Sequence, residues 1–254
     1  MSDGFDVSVA GVHLPFPAMN ASGAWSSTAA ELRDLARSAS GAIVLKTATV
    51  HPFLHPEYRS LHNPGFDKMV PLVRELAADP ARPVIASIAG AAPDEYATLA
   101  RAFADAGAAM IEVNFADPYV AATLAPFEDR DALRAVLRKL VAASAVPISV
   151  KLPERTPLGW RALSAELLDA GVRVAVARND FAGFEKLLLE SGRQLEVIAV
   201  GGVESGYDVS RALAKGAKAV QVGSALLREG PQLFARLERE MRAARARLAG
   251  GRGS

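Results

Sequence analysis

Cysteine is absent from the 254 residues. That excludes disulfides, an iron–sulfur cluster and thiol catalysis, and it fits a reducing compartment such as the cytoplasm. Neither sign of charge is in excess: 29 basic and 28 acidic residues leave a formal net charge of +1. A nucleic-acid surface needs basic residues clustered on one face, so no nucleic-acid partner is expected. The nearest approach to one, Arg236, Arg239, Arg242, Arg245 and Arg247, is interleaved with Glu238 and Glu240. It is the pattern of a solvated helix face. No stretch offers about 18 uninterrupted apolar residues, so no membrane span is expected. Residues 1–20 show no basic start followed by an apolar run, and no secretory leader is expected there. Histidine is scarce at four. Three of these, His51, His55 and His62, fall near Tyr58, but Pro52 and Pro56 interrupt any helix that would align them, and no metal site is predicted.

What the chain does have is short apolar, β-branched runs alternating with helical patterns. Strands are predicted at Pro17–Ser22, Ala42–Ala48, Val84–Ile88, Met110–Phe115, Ile148–Leu152, Arg173–Arg178, Val197–Val200 and Ala219–Val222. Each is apolar almost throughout, as strands covered on both faces are. Helices are predicted at Pro93–Ala106, Arg130–Ser144, Gly159–Ala170 and Gly206–Lys215, the last two ending at the C-terminal glycines Gly171 and Gly216. Eight strands alternating with helices give an α/β fold of the (β/α)8 TIM-barrel class, as a single domain over residues 1–249. A doubly wound sheet shares the alternation but usually stops at five to seven strands. A hairpin of Val7–Val12 and His13–Phe16 is expected to plug the barrel bottom, and residues 250–254 to form a flexible tail.

Chemistry in this fold sits at the C-terminal ends of the strands. Those ends carry Asn20 and Ser22, Lys46 and Thr47, Ser87, Asn114 and Asp117, Lys151, then Arg178, Asn179 and Asp180. The lysines carry the most information. An amine at the end of Ile-Val-Leu-Lys46 or Ile-Ser-Val-Lys151 is costly unless it meets an anion or loses its proton. A purely structural pairing with a neighbouring carboxylate is the alternative. Strands seven and eight end in Gly201-Gly202 and Gly223-Ser224. Glycine lets backbone amides approach a phosphate, and these two loops are the recurrent phosphate site of the fold.

These segments resemble the dihydroorotate dehydrogenase family, especially its soluble class 1 branch, over most of the chain. The carrying motifs are Met19-Asn20-Ala21-Ser22-Gly23, Leu45-Lys46-Thr47, Asn63-Pro64-Gly65-Phe66-Asp67, Ser87-Ile88-Ala89-Gly90 and Glu112-Val113-Asn114-Phe115. Val150-Lys151-Leu152-Pro153, Gly201-Gly202-Val203-Glu204-Ser205-Gly206 and Gln221-Val222-Gly223-Ser224-Ala225-Leu226 complete the set. The resemblance implies noncovalent flavin mononucleotide (FMN). Ala21 and Ser22 would contact the ring, with Thr47 nearby; Lys46 and Asn114 would flank it, and Lys151 would lie near N1 and O2. Gly201, Gly202, Gly223 and Ser224 would hold the phosphate, and Asn63 and Asn179 would meet the substrate. It further implies oxidation of dihydroorotate in pyrimidine biosynthesis, a homodimer, and electrons leaving to a soluble acceptor or a separate partner subunit.

The chain departs from the family around the substrate. Where the family has Asn-Leu-Ser-Cys-Pro-Asn, this chain has Asn114-Phe115-Ala116-Asp117-Pro118-Tyr119, so Asp117 stands in the position of the catalytic base. The family's Asn-Ser-x-Asn-x segment appears as Val176-Ala177-Arg178-Asn179-Asp180, and its long substrate loop is shortened to Leu61-His62-Asn63. A thiol near pKa ~8.5 is a stronger base than a carboxylate near ~3.9 by about 4.6 units, or about 6 kcal/mol of driving force. Burial would return part of that difference. Asp117 as general base therefore stands beside Asp117 as a helix cap or as a partner of Lys151 or Arg178. The leading expectation is an FMN-dependent oxidoreductase acting on dihydroorotate or a related small ring, with Asp117, Lys46 and Lys151 as catalytic residues. Two alternatives are a Schiff-base lyase on a phosphorylated substrate, using Lys46 or Lys151, and a non-catalytic flavin- or metabolite-binding relative.

Overall fold

The computed structural model describes residues 4–54, 62–117 and 129–250. Tyr58, His55, Leu61, Pro118 and Tyr119 lie outside the described residues, as do 251–254. In chain order the strands are β1 (Val7–Val9), β2 (Val12–Leu14), β3 (Ala18–Asn20), β4 (Ile43–Val44), β5 (Val84–Ile88) and β6 (Met110–Asn114). They continue as β7 (Ile148–Lys151), β8 (Val174–Arg178), β9 (Glu196–Val200) and β10 (Ala219–Val222). The helices are α1 (Ala29–Arg37), α2 (Phe66–Ala77), α3 (Pro93–Asp105), α4 (Arg130–Ala143), α5 (Trp160–Asp169) and α6 (Lys186–Glu190). After them come α7 (Gly206–Lys215), α8 (Ser224–Glu229) and α9 (Gln232–Gly250), and a π-helical turn, Phe181–Glu185, precedes α6.

Strands β3 to β10 form one parallel sheet in the order β3-β10-β9-β8-β7-β6-β5-β4, the ring of a TIM barrel. Its interior is a layer of Met19, Val44, Ile85, Met110, Val176 and Ile198. A larger apolar shell lies between the strands and the surrounding helices. The helices end where their sequences say they should. Ser205 and Asp208 form a capping box at the start of α7, and Gly216, at φ 112°, closes its end in the left-handed region.

Between β3 and β4 the ring is joined by a side chain instead of a ladder. Asn20 Nδ2 donates to the Val44 carbonyl (2.7 Å) and Asn20 Oδ1 accepts from the Val44 amide (2.8 Å), so the carboxamide substitutes for a peptide group. Gly41 N donates to the Ala18 carbonyl at 2.8 Å one step below. The backbones approach so closely there that a Cβ on Gly41 would lie 1.7 Å from the Phe16 carbonyl oxygen.

Several predicted bounds shift. The hairpin arms are Val7–Val9 and Val12–Leu14, shorter than expected, because Ala10 (φ 46°) and Gly11 (φ 83°) make the tight turn. Val9 and Leu14 join the interior layer, and Ala10 N donates to Glu196 Oε2 (2.9 Å) at the start of β9, which seats the hairpin under the barrel bottom. The second predicted strand is regular only at Ile43–Val44. Beyond it the chain turns toward the mouth, Lys46 N bonding Ser26 O (3.3 Å) and Ala48 forming an isolated bridge to Ile88. The terminal helix runs on to Gly250, one residue into the expected tail. Its arginines pair with acids around them: Arg236 with Glu229 (2.8 Å) and Glu240 (2.7 Å), and Arg242 with Glu238 (2.6 Å).

Candidate active site

Parallel strands leave their carbonyl ends, and the residues just past them, around one rim. Residues from β3, β4, β6, β7 and β10 converge there on a cavity of about 390 Å³. Its walls include Ala21 and Ser22 from β3, Lys46 and Thr47 from the β4 extension, Asn114 and Asp117 from β6, Lys151 from β7, and Gly223 and Ser224 from β10. Nine of the residues predicted from sequence therefore share one mouth.

The two lysines differ in their surroundings. Lys46 is buried, with its amine close to the loop after β3: a Cβ on Gly23 would be 3.6 Å from Lys46 Nζ. Burial is the main influence on this amine and holds it below the ordinary lysine value of 10.5. The Asp117 carboxylate works against that shift and the Lys151 charge adds to it. Lys151 ends β7. Its Nζ is 3.1 Å from Ser22 Oγ, 3.4 Å from Gln221 Oε1 and 3.9 Å from Glu112 Oε1. Its side chain is 12 % exposed and that of Glu112 0 %, so the cation meets a fully buried counter-charge.

Asp117 follows Asn114 in a turn, its amide bonding the Asn114 carbonyl at 3.2 Å, and it is half-buried at the cavity wall. Among the described residues, Lys46 is a cation that acts on it across the mouth. Arg178 is engaged elsewhere, with Asp180 at 2.9 Å and with Glu154. The hydrogen bond to Asp180 and then that to Glu154 hold the guanidinium above its ordinary value.

Asn114 donates from Nδ2 to Thr47 Oγ1 at 2.8 Å, while its Oδ1 is buried with no hydrogen-bond partner. A buried acceptor left open costs about 1–3 kcal/mol unless a ligand meets it. Asn179 is a second such case. Its Nδ2 is buried without a partner, 3.9 Å from where a Cβ on Gly202 would stand. Gly201 (φ 87°) and Gly202 (φ 65°) are in the left-handed region, and nothing lies within 4 Å of a Cβ built on Gly201 or Gly223. A donor beside open, glycine-lined backbone suits a phosphate group.

Four predicted site residues are placed away from the walls of this cavity. Gly201, Gly202 and Asn179 sit together at the tips of β8 and β9, next to Gly223. Asn63 is buried. Its Oδ1 accepts from Thr49 Oγ1 (3.0 Å), Gly65 N (3.0 Å) and Thr49 N (3.4 Å), which pins the loop after β4. Two residues to which sequence reasoning gave no role, Glu112 and Gln221, prove central to the floor of the mouth. Glu112 was legible: a glutamate within Met110-Ile-Glu-Val-Asn114 carries the same burial cost that singled out the lysines.

The family model described as dihydroorotate dehydrogenase matches residues 59–180 and 176–244. The catalytic subunit of dihydroorotate dehydrogenase B (NAD(+)) from Methanopyrus kandleri is 30 % identical, over 86 % of this chain and 84 % of that one. The corresponding subunit from Methanothermobacter thermautotrophicus is 29 % identical, over 94 % and 92 %. Dihydroorotate dehydrogenase (fumarate) of Trypanosoma cruzi is 28 % identical, over 89 % and 88 %. Among solved structures, the Eimeria tenella enzyme in complex with ferulenol superposes with a TM-score of 0.80 at 17 % identity, covering 93 % of this chain and 83 % of that one. With both the sequence match and the barrel in agreement, the chain belongs to the dihydroorotate dehydrogenase family of oxidoreductases.

Proposed function

We propose that this mouth holds FMN and that the protein oxidises a CH–CH bond of dihydroorotate or a closely related dihydro ring. The observation that carries the reading is the open, buried Oδ1 of Asn114 beside the Lys151 cation. An uncharged, apolar ligand would leave that oxygen unsatisfied. The residues present fit the cofactor. Lys151 and Asn114 would face its ring, Ala21 and Ser22 would lie along it, and Gly223, Ser224, Gly202 and the free Nδ2 of Asn179 would take its phosphate. Bound flavin supplies the hydride acceptor.

The remaining chemistry falls to side chains. Asp117 would take the carbon-bound proton. It stands half-buried at the cavity wall, across the mouth from the Lys46 charge. Lys46 would hold the substrate's carboxylate. Because its amine titrates below 10.5, affinity for orotate is expected to fall at a lower pH than an ordinary lysine would set. That pH dependence should vanish in Lys46→Met, measured by equilibrium titration. The same depressed amine is what a Schiff-base lyase would need, so the reading is tested against that one directly. Purified protein should be yellow and should bleach anaerobically with dihydroorotate. Asp117→Ala should keep the colour and slow bleaching by about 10²–10⁴-fold. Colourless protein that borohydride links to a keto-sugar phosphate would establish the lyase. Yellow protein that no dihydro ring bleaches would leave a binding protein. Electrons would pass to a soluble acceptor, and we expect a cytoplasmic homodimer. Among the described residues no helix is long and apolar enough to cross a membrane.

A further inference from the structure

Beneath the mouth a chain of polar side chains crosses the barrel interior. Gln221 Nε2 donates to Glu112 Oε2 at 2.5 Å, and Ser87 Oγ donates to Glu112 Oε1 at 3.3 Å. Thr47 Oγ1 lies 3.1 Å from Ser87 Oγ, and Asn114 Nδ2 is 2.8 Å from Thr47 Oγ1. All five side chains are buried.

The direction of this chain follows from counting protons. A carboxylate opposite Lys151 can only accept. Ser87 spends its single proton on Glu112, so the proton shared with Thr47 must come from Thr47. Thr47 can then only accept from Asn114, which must turn its amide inward. What remains to face the mouth is the Asn114 carbonyl oxygen, the atom that has no partner. One buried charge, two hydroxyls away, thus decides which end of an amide the ligand meets.

We infer that Glu112 is a positioning residue whose charge orients the Thr47–Ser87 relay, so that Asn114 presents an acceptor and selects a ring edge bearing an N–H donor. The inference rests on the reading of the mouth as a flavin site, and it adds a requirement which that reading does not contain. Oxidised flavin carries one ring N–H, at N3. A glutamine at position 112 has nearly the same shape but can donate, which allows every bond in the relay to reverse and the Asn114 amide to turn outward.

The experiment compares binding of riboflavin 5′-phosphate with that of its N3-methyl analogue by fluorescence titration. Native protein should prefer the unmethylated flavin by about tenfold, the usual consequence of leaving one buried acceptor unmet. Glu112→Gln and Ser87→Ala should each bring the two affinities within about twofold. Ser87→Ala is the safer variant for folding, since it cuts the relay and leaves the contacts of Glu112 with Lys151 and Gln221 in place. A Glu112 that served only as a counter-charge would weaken both flavins equally, and an unchanged preference in the variants overturns the inference. A second arm needs no flavin: NMR exchange of the Asn114 carboxamide protons in ligand-free protein. Exchange that is slow in native protein and accelerated in both variants supports the inference, and exchange alike in all three overturns it. Native protein that takes up no flavin would sink the proposed function alone, because the carboxamide exchange still decides the orientation.

Discussion

Lys151→Met is expected to lower stability by about 3 kcal/mol, because it strands a fully buried carboxylate without its cation. The same change should weaken flavin binding by about 10- to 100-fold, the scale for losing a hydrogen bond from a charged donor. The two effects are separable. In Lys151→Met/Glu112→Gln the stranded charge is gone, so most of the lost stability should return while the binding defect stays. Urea denaturation at neutral pH reads the first effect and fluorescence titration the second. If the double variant were no more stable than the single one, Lys151 and Glu112 would not be a coupled pair.

Gly41→Ala should be worse for the molecule than any change in the mouth. The added Cβ would stand 1.7 Å from the Phe16 carbonyl oxygen and 2.8 Å from its carbon, and backbone atoms cannot swing aside as a flexible side chain can. Relief requires β3 and β4 to separate, which breaks the Gly41–Ala18 bond and pulls the Asn20 carboxamide from Val44. A loss beyond about 4 kcal/mol is expected, in the range reserved for strained or overpacked positions. Thermal unfolding or the yield of soluble protein would show it. A variant with native melting temperature would mean that the seam is looser than these distances imply.

The barrel was legible because each strand is an apolar run between clear helical periods. Val84–Ile88 and Ala219–Val222 fall where they were predicted, and helix Gly206–Lys215 does too. The second strand was overextended because the run to Ala48 keeps the composition of a strand, while its backbone bends out of the ladder between Leu45, whose amide still meets Ile85 O, and Ala48, which rejoins Ile88 as an isolated bridge. Composition cannot register that bend. In the site, the lysines stood out by the cost of burying them. Glu112 escaped because it lies mid-strand, and attention to strand ends passed over it. Asn63 was assigned to the substrate from its motif, and its oxygen accepts hydrogen bonds from Thr49 and Gly65. Nothing in a linear sequence says which partners an asparagine will find first.

The carboxamide joint at Asn20 also bears on how the molecule is made. The first barrel strand has a ladder partner only in the last, with Ala18 opposite Val220. During synthesis that strand must wait as an open edge until Ala219–Val222 have left the ribosome, so ring closure is a long-range event. A nucleotide held between Ser22 and Ser224 would bridge the two strands that meet last, and so would act as a clasp on the finished ring.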